Sequence, residues 1–275
     1  VEHRAGYYES AGVLRDMFQN HMMQLLALVA AEPPPRYEPE LVRDEKIKLL
    51  DSIRPFDQGD KWRALVLGQS TEGKVDGAGV PGYRDEPGVG PQSLIATYAT
   101  VRLWIDNWRW QGVPFYLTSG KRLRAKETRI DIRFKEVPLQ LFREVVGEDI
   151  GANWLTLGIY PDEEIRVSIQ AKQPGDRPVL RPVSLRFDYG EGQDGSAVDA
   201  YEKSLVDALR GDHTLFWRSD GLEESWSLFE PIISVCESCG ERETNLFHYP
   251  AGSDGPKEAA RRFATLREGV PRRRP

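Results

Sequence analysis

The order of hydrophobic patterns along the chain predicts an α+β fold. Three observations carry it: two helical patterns lead, a long run of strand patterns follows, and helices return near the end, so the two types are segregated instead of alternating. The first helix is expected over about residues 12–31, where Val13, Leu14, Met17, His21, Leu25 and Leu28 recur at three- and four-residue steps. Asp16, Asn20 and Gln24 follow as a second stripe at steps of four. Pro33-Pro34-Pro35 ends this helix, because proline lacks the amide proton and restrains the residue before it. A second helix is expected over 39–53, with Pro39 suited to a first turn and Leu41, Ile47, Leu49, Leu50 and Ile53 on its apolar face. Arg54-Pro55 closes it.

Strands are expected at 64–67, 95–105, 113–117, 128–134, 154–160, 165–169 and 183–187. The alternation is clearest in Arg129-Ile130-Asp131-Ile132-Arg133-Phe134, which implies one apolar and one polar face. Residues 68–91 are rich in Gly, Pro and Asp and read as a loop. Helices return at about 197–209 and 222–235, the latter with Ser219 and Asp220 as candidate caps, and a last one is expected over 256–266. Arg272-Arg273-Arg274 reads as a frayed tail. No strand–Gly-x-Gly-x-x-Gly–helix unit occurs, and Gly88-Val89-Gly90 falls in the irregular loop, so a doubly wound nucleotide fold is not supported.

With 275 residues the chain can bury a proper core, as one large domain or two small ones. Its 37 basic and 43 acidic residues give a net charge of −6, which argues against a general nucleic-acid binder. No apolar run reaches the roughly 18–20 residues that span a bilayer, and the start does not resemble a secretory signal. No membrane association is expected, and the cytoplasm is the expected compartment. Cys236 and Cys239 supply only half of a four-ligand zinc set, so they read as two thiols near a helix end in a reducing compartment, and no metal is expected.

Three groups of residues could carry chemistry. Asp16, Gln19, Asn20, His21 and Gln24 put five polar side chains into a helix apolar enough to be buried, and buried polar groups need partners. His21 could move a proton near neutral pH, or be a core histidine with satisfied hydrogen bonds. Asp16 and His21, five residues apart, would stand about 140° apart around an α-helix, flanking one edge without stacking. Ser119-Gly120-Lys121-Arg122-Leu123-Arg124-Ala125-Lys126 places four cations within six positions beside a permissive glycine, as a phosphate clamp or as a solvated basic loop. Trp104, Trp108 and Trp110 could stack on a sugar or serve packing.

The strings themselves add a resemblance. Arg15-Asp16-Met17-Phe18-Gln19-Asn20-His21 closely resembles the Arg-Asp-x-x-Gln-Asn-His helix of glucose-6-phosphate dehydrogenases. Ser52-Ile53-Arg54-Pro55, Val66-Leu67-Gly68-Gln69, Pro81-Gly82-Tyr83, Asp106-Asn107-Trp108-Arg109-Trp110-Gln111-Gly112-Val113-Pro114-Phe115, Gly120-Lys121-Arg122-Leu123, Trp217-Arg218-Ser219-Asp220 and Gly252-Ser253 are similar to later segments of that family, in the same order. The resemblance covers nearly the whole chain.

It implies a large, mostly antiparallel sheet with helices packed on one face, and a single domain over 1–275 with frayed ends at 1–9 and 268–275. The sheet's other side would pair two copies as a homodimer. The family oxidises glucose 6-phosphate at C1 to 6-phosphogluconolactone with NADP, or in some members NAD, at the entry to the pentose phosphate pathway. His21 would then be the catalytic base at the C1 hydroxyl, and Asp16, Lys121 and Lys126 would bind substrate. The family's nucleotide domain would precede Val1, so the cofactor residues are expected there and none is assigned to this chain, which alone should not turn over. Glu2-His3-Arg4 has His3 where the family usually has Gly, and Tyr160 stands where a Gln touches substrate in some members. A non-catalytic dimerisation module derived from the family is the alternative.

Overall fold

The computed structural model describes residues 4–264 except 58, 60, 137–150, 177–178, 191–199 and 239. The described chain divides into two compact units, residues 1–124 with 198–262, and residues 125–197 with 263–275. Helices and strands are segregated as expected, and the α+β class holds.

The first unit opens with a helix the sequence reading placed too late. α1 (Ala5–Val13) begins where a frayed start was expected, and Ala5 and Tyr8 are buried in it. Gly12, at φ +62°, kinks the chain at its end, a conformation glycine adopts without a Cβ penalty. Leu14–Met22 then forms a π-helix, and α2 (Met23–Ala30) resumes the ordinary winding. A π-turn closes its hydrogen bond five residues on, so the buried side chains follow a longer step than an α-helix allows. Leu14, Phe18, Met23, Ala27 and Ala30 face the core. Leu28 and His21, expected on the apolar face, are exposed, because the wider turn shifts the phase of the stripe.

α3 (Pro39–Asp51) matches its expected span, with Pro39 in the first turn. After the short α4 (Lys61–Ala64) come β1 (Leu65–Thr71), β4 (Tyr98–Trp104) and β5 (Pro114–Gly120). Between β1 and β4, the segment read as irregular holds a small hairpin, β2 (Gly73–Val75) with β3 (Ala78–Val80), turned at Asp76 and Gly77, both at positive φ. Three-residue strands are too short to show alternation, which is why the composition of the loop hid them.

Ser219–Ser238 is a long helix, labelled α6 after α5 (Ala200–Arg210), and β10 (Leu246–Pro250) follows the short α7 (Glu241–Asn245). β10 was not expected. It joins β1 in parallel, giving a mixed sheet in the order β10-β1-β4-β5. α8 (Lys257–Arg262) is the last described helix. The core of this unit gathers Phe18, Met23, Leu65, Leu67, Leu103, Phe229 and Ile232, all essentially without exposure. Trp110 packs against Phe115 and donates its indole N–H to the Ala30 carbonyl at 2.8 Å, whereas Trp108 is fully exposed.

The second unit holds β6 (Thr128–Arg133), β7 (Trp154–Tyr160), β8 (Glu164–Lys172) and β9 (Leu180–Asp188) in one antiparallel sheet in chain order. Among the described residues the strands pair as two four-stranded sheets and a hairpin, mostly antiparallel as expected. Register makes the two faces of this second sheet unlike. Ile132, Leu155, Val167 and Leu185 align across the four strands on one face, as do Ile130, Leu157, Ile165 and Phe187. The opposite face is polar, with Arg166 and Arg186 both paired to the buried Glu164. Leu185 and Phe187 on edge strand β9 are 63% and 57% exposed, so the apolar face has no cover at that edge. Glu2, His3, Cys239 and Arg272–Arg274 lie outside the described residues, as does the side chain of Cys236.

Candidate active site

The site begins with the π-helix, because its winding decides which side chains share a face. In an α-helix Asp16 and His21 would stand on different edges. A π-turn closes on the fifth residue, so this winding brings Asp16 and His21 nearer in angle than an α-helix would. The chain needs help to hold that winding, since a π-turn leaves backbone groups poorly matched.

α6 supplies it. The buried Ser225 hydroxyl donates to the Gln19 carbonyl at 2.7 Å, the Gln19 amide reaches the Trp226 carbonyl at 3.5 Å, and the Trp217 indole donates to Asn20 Oδ1 at 3.0 Å. Gln19 is therefore buried and partnered, as the five-residue polar set required, while Gln24 Oε1 is buried with no partner among the described residues.

Asp16 is half-buried and doubly held. The Tyr7 hydroxyl donates to its Oδ1 at 3.2 Å, and the Lys121 ammonium approaches its Oδ2 at 3.4 Å. The negative charge of Asp16 pushes the Tyr7 phenol above its usual pKa, so that phenol remains a donor. His21 is exposed, which corrects the expectation of a buried imidazole. The inward positions on either side of it are taken by Phe18, Gln19 and Met23. No described side chain hydrogen-bonds its ring, so neither nitrogen is committed to a tautomer.

Lys121 is delivered by a loop whose backbone is fixed at each residue. β5 packs against the π-helix and ends at Gly120, where a Cβ would come within 2.7 Å of the Tyr98 ring. The Lys121 amide then donates to the Thr97 carbonyl at 2.8 Å, and the Lys121 carbonyl accepts the buried Tyr249 hydroxyl at 2.8 Å. Burial holds the Tyr249 phenol well above its ordinary pKa. Arg122, at φ +54°, turns the chain back, its carbonyl accepting the Gly252 amide at 2.8 Å, and its guanidinium faces buried Glu86 at 3.6 Å. Leu123 bridges to Ser253. The basic loop is thus a built platform, not a solvated string of charges, and its flexible part is the Lys121 side chain.

Lys126 belongs to the other unit, where its ammonium lies 5.3 Å from the centroid of the half-exposed Tyr160 ring. The structure therefore brings Asp16 and Lys121 together, with His21 five residues along the same π-helix from Asp16. Sequence reasoning missed Tyr7, Tyr8, Thr97, Ser225, Trp217 and Tyr249. The Trp217 and Gly252-Ser253 strings stood out in the sequence, but nothing local tied them to residues more than 100 positions away.

Among the described residues, no cluster of His, Cys, Asp or Glu could hold a metal. The described turn from β10 into α8, Ala251-Gly252-Ser253-Asp254-Gly255-Pro256, holds two glycines at positive φ but lacks the Gly-x-Gly-x-x-Gly spacing. No described helix is long and apolar enough to cross a membrane.

Comparison with known proteins gives a consistent result. Residues 1–268 match the family described as glucose-6-phosphate dehydrogenase, C-terminal domain. The chain is 43% identical over 264 residues to the glucose-6-phosphate 1-dehydrogenase of Aggregatibacter actinomycetemcomitans, covering 96% of this chain and 52% of that protein. With that of Mycolicibacterium smegmatis it shares 43% over 257 residues, 94% of this chain and 51% of the other. A solved glucose-6-phosphate dehydrogenase in complex with its substrate glucose-6-phosphate superposes with a TM-score of 0.85 at 34% identity, over 99% of this chain and 54% of that one. The enzyme from Mycobacterium avium superposes with a TM-score of 0.77 at 30% identity, over 100% and 53%. The chain spans about half the length of the relatives it matches.

Proposed function

The chain belongs to the glucose-6-phosphate dehydrogenase family as its C-terminal domain, and on that premise we propose that it is the substrate-binding and subunit-pairing half of an enzyme oxidising glucose 6-phosphate at C1 to 6-phosphogluconolactone. The observation that carries the reading is the convergence of Lys121 on Asp16, two residues 105 positions apart, at 3.4 Å on the helix that also carries His21. Each group has a task that fits its chemistry. His21, exposed and uncommitted, accepts the C1 hydroxyl proton as the lactone carbonyl forms. Asp16 accepts hydrogen bonds from sugar hydroxyls and orients the ring. Lys121 is a point charge on a four-carbon stem, free to swing from Asp16 to a phosphorylated sugar. The substrate role of Lys126 rests on sequence likeness alone.

NADP, or NAD, is the coenzyme of the complete enzyme in this reading and takes the hydride there. The cytoplasm is the compartment the reading assigns.

Binding tests the reading directly. Titrating the 275-residue chain with glucose 6-phosphate should shift the His21 ring resonances in a saturable way at millimolar concentration, and glucose alone should do so far more weakly. No shift at millimolar glucose 6-phosphate counts against the site.

Pairing is the second part of the proposal. The apolar face of β6–β9, with Ile132, Leu155, Val167 and Leu185 in one cross-strand row, leaves Leu185 and Phe187 in water at edge strand β9. A second copy covering that face would remove the exposed patch and its edge. Sedimentation equilibrium should give a dimer at micromolar concentration, and Leu185→Asp with Phe187→Asp should give a monomer. A monomeric wild-type chain sinks this part of the proposal and leaves the sugar-phosphate reading standing.

A further inference from the structure

Tyr8 is buried in a way that packing does not explain. It is 2% exposed and lies edge-on to Tyr83, with ring centroids 6.1 Å apart. Its hydroxyl has no hydrogen-bond partner among the described residues. A phenol buried like this gives up its contacts with bulk water and gains none with a described protein group, so phenylalanine would fill the space as well. The surroundings are those of the site. The Lys121 ammonium sits 5.2 Å from the Tyr8 ring centroid, a cation–π distance, and the same ammonium is paired with Asp16. Burial first, and the Asp16 charge second, hold the phenol in its protonated form, so towards that carboxylate it can only be a donor.

We propose that Tyr8 is a positioning residue of the sugar-phosphate site: its ring supports the Lys121 ammonium, and its hydroxyl donates to the Asp16 carboxylate once a bound ligand has drawn Lys121 away. Without ligand, Asp16 is shared between Tyr7 and Lys121. A sugar phosphate competes for Lys121, and its departure strips the cation from a carboxylate whose side chain is only 16% exposed. The waiting Tyr8 hydroxyl then donates to that carboxylate and keeps it aimed at the sugar hydroxyls. The unpaired hydroxyl of the free chain is, on this view, one half of a bond made only in the bound state. The inference rests on the reading of this site as one for glucose 6-phosphate.

The test is Tyr8→Phe, which keeps the ring under Lys121 and deletes the hydroxyl alone. The free variant should melt at the same temperature as the wild-type chain or a few degrees higher, since an unsatisfied buried group has been removed. Its Kd for glucose 6-phosphate should rise about tenfold, while the weaker Kd for inorganic phosphate, which presents no sugar hydroxyls, stays unchanged. Tyr8→Leu removes the ring as well and should weaken both ligands. Unchanged glucose 6-phosphate affinity in Tyr8→Phe overturns the inference and leaves the reading of the site intact, as does a lowered melting temperature with unchanged affinity. No saturable binding by the wild-type chain removes the reading and the inference with it.

Discussion

Replacing His21 by asparagine is expected to lower kcat by about 10²–10⁴-fold in a dehydrogenase that contains this chain, with KM changed by less than about threefold. The magnitude is that of a general base removed from a proton transfer, and the small effect on KM follows from geometry. His21 is exposed and carries no hydrogen bond to a described side chain, so its loss should neither open a cavity nor release a neighbour. Binding is left to Asp16 and Lys121, which are already paired with each other, Asp16 also accepting from Tyr7. Steady-state kinetics with saturating coenzyme check it. A variant whose loss is confined to KM would mean that the imidazole binds substrate and does not move the proton. The limb of the pH–rate profile that reports the base should also disappear.

Replacing Phe18 by alanine is expected to cost about 3–5 kcal/mol, enough to lower the melting temperature of the first unit by roughly 10 °C. Phe18 has no exposure and meets Phe229 edge-on at 5.9 Å, and Phe229 in turn packs against Phe56 at 5.8 Å. The deletion opens a cavity between the π-helix and α6, where those two elements are also joined by Ser225 and Gln19. Because Asp16 and His21 ride on the same π-helix, glucose 6-phosphate binding should fall together with stability. Tyr37→Ala, at an 82% exposed position, should change the melting temperature by little and is the matching control. Calorimetry on the two variants decides it. A Phe18→Ala chain within 1 kcal/mol of the wild type would show that this contact is not part of the core.

Much of the architecture was legible because it follows from local pattern. α3 begins at Pro39 as its first-turn proline required, and β7 runs from Trp154 to Tyr160 as expected. Alternation in 129–134 correctly announced a two-faced strand. The misses have causes of their own. β2 and β3 are too short to alternate, and β10 is five residues ending in proline at the edge of its sheet. Among the described residues the registers pair the strands as two four-stranded sheets and a hairpin, a division that local pattern does not specify.

The site divides along the same line. His21, Asp16 and Lys121 could be picked from the sequence because residue type and recurring strings are local properties. Their relation could not. A periodicity of 3.6 put Asp16 and His21 on different edges, and only the π-winding draws them nearer in angle. That winding depends on Ser225, Trp226 and Trp217, about 200 positions downstream, whose hydrogen bonds to Gln19 and Asn20 exist only after α6 has packed against the helix. Likewise Tyr249 pins the Lys121 carbonyl from β10, and Tyr8 receives the Lys121 ammonium from α1. By itself the sequence determined the family, the class of fold and the identity of the reactive groups, since these are written in short stretches of chain. The tertiary structure alone decided their facing and their partners, because hydrogen bonds between distant segments have no footprint in local spacing.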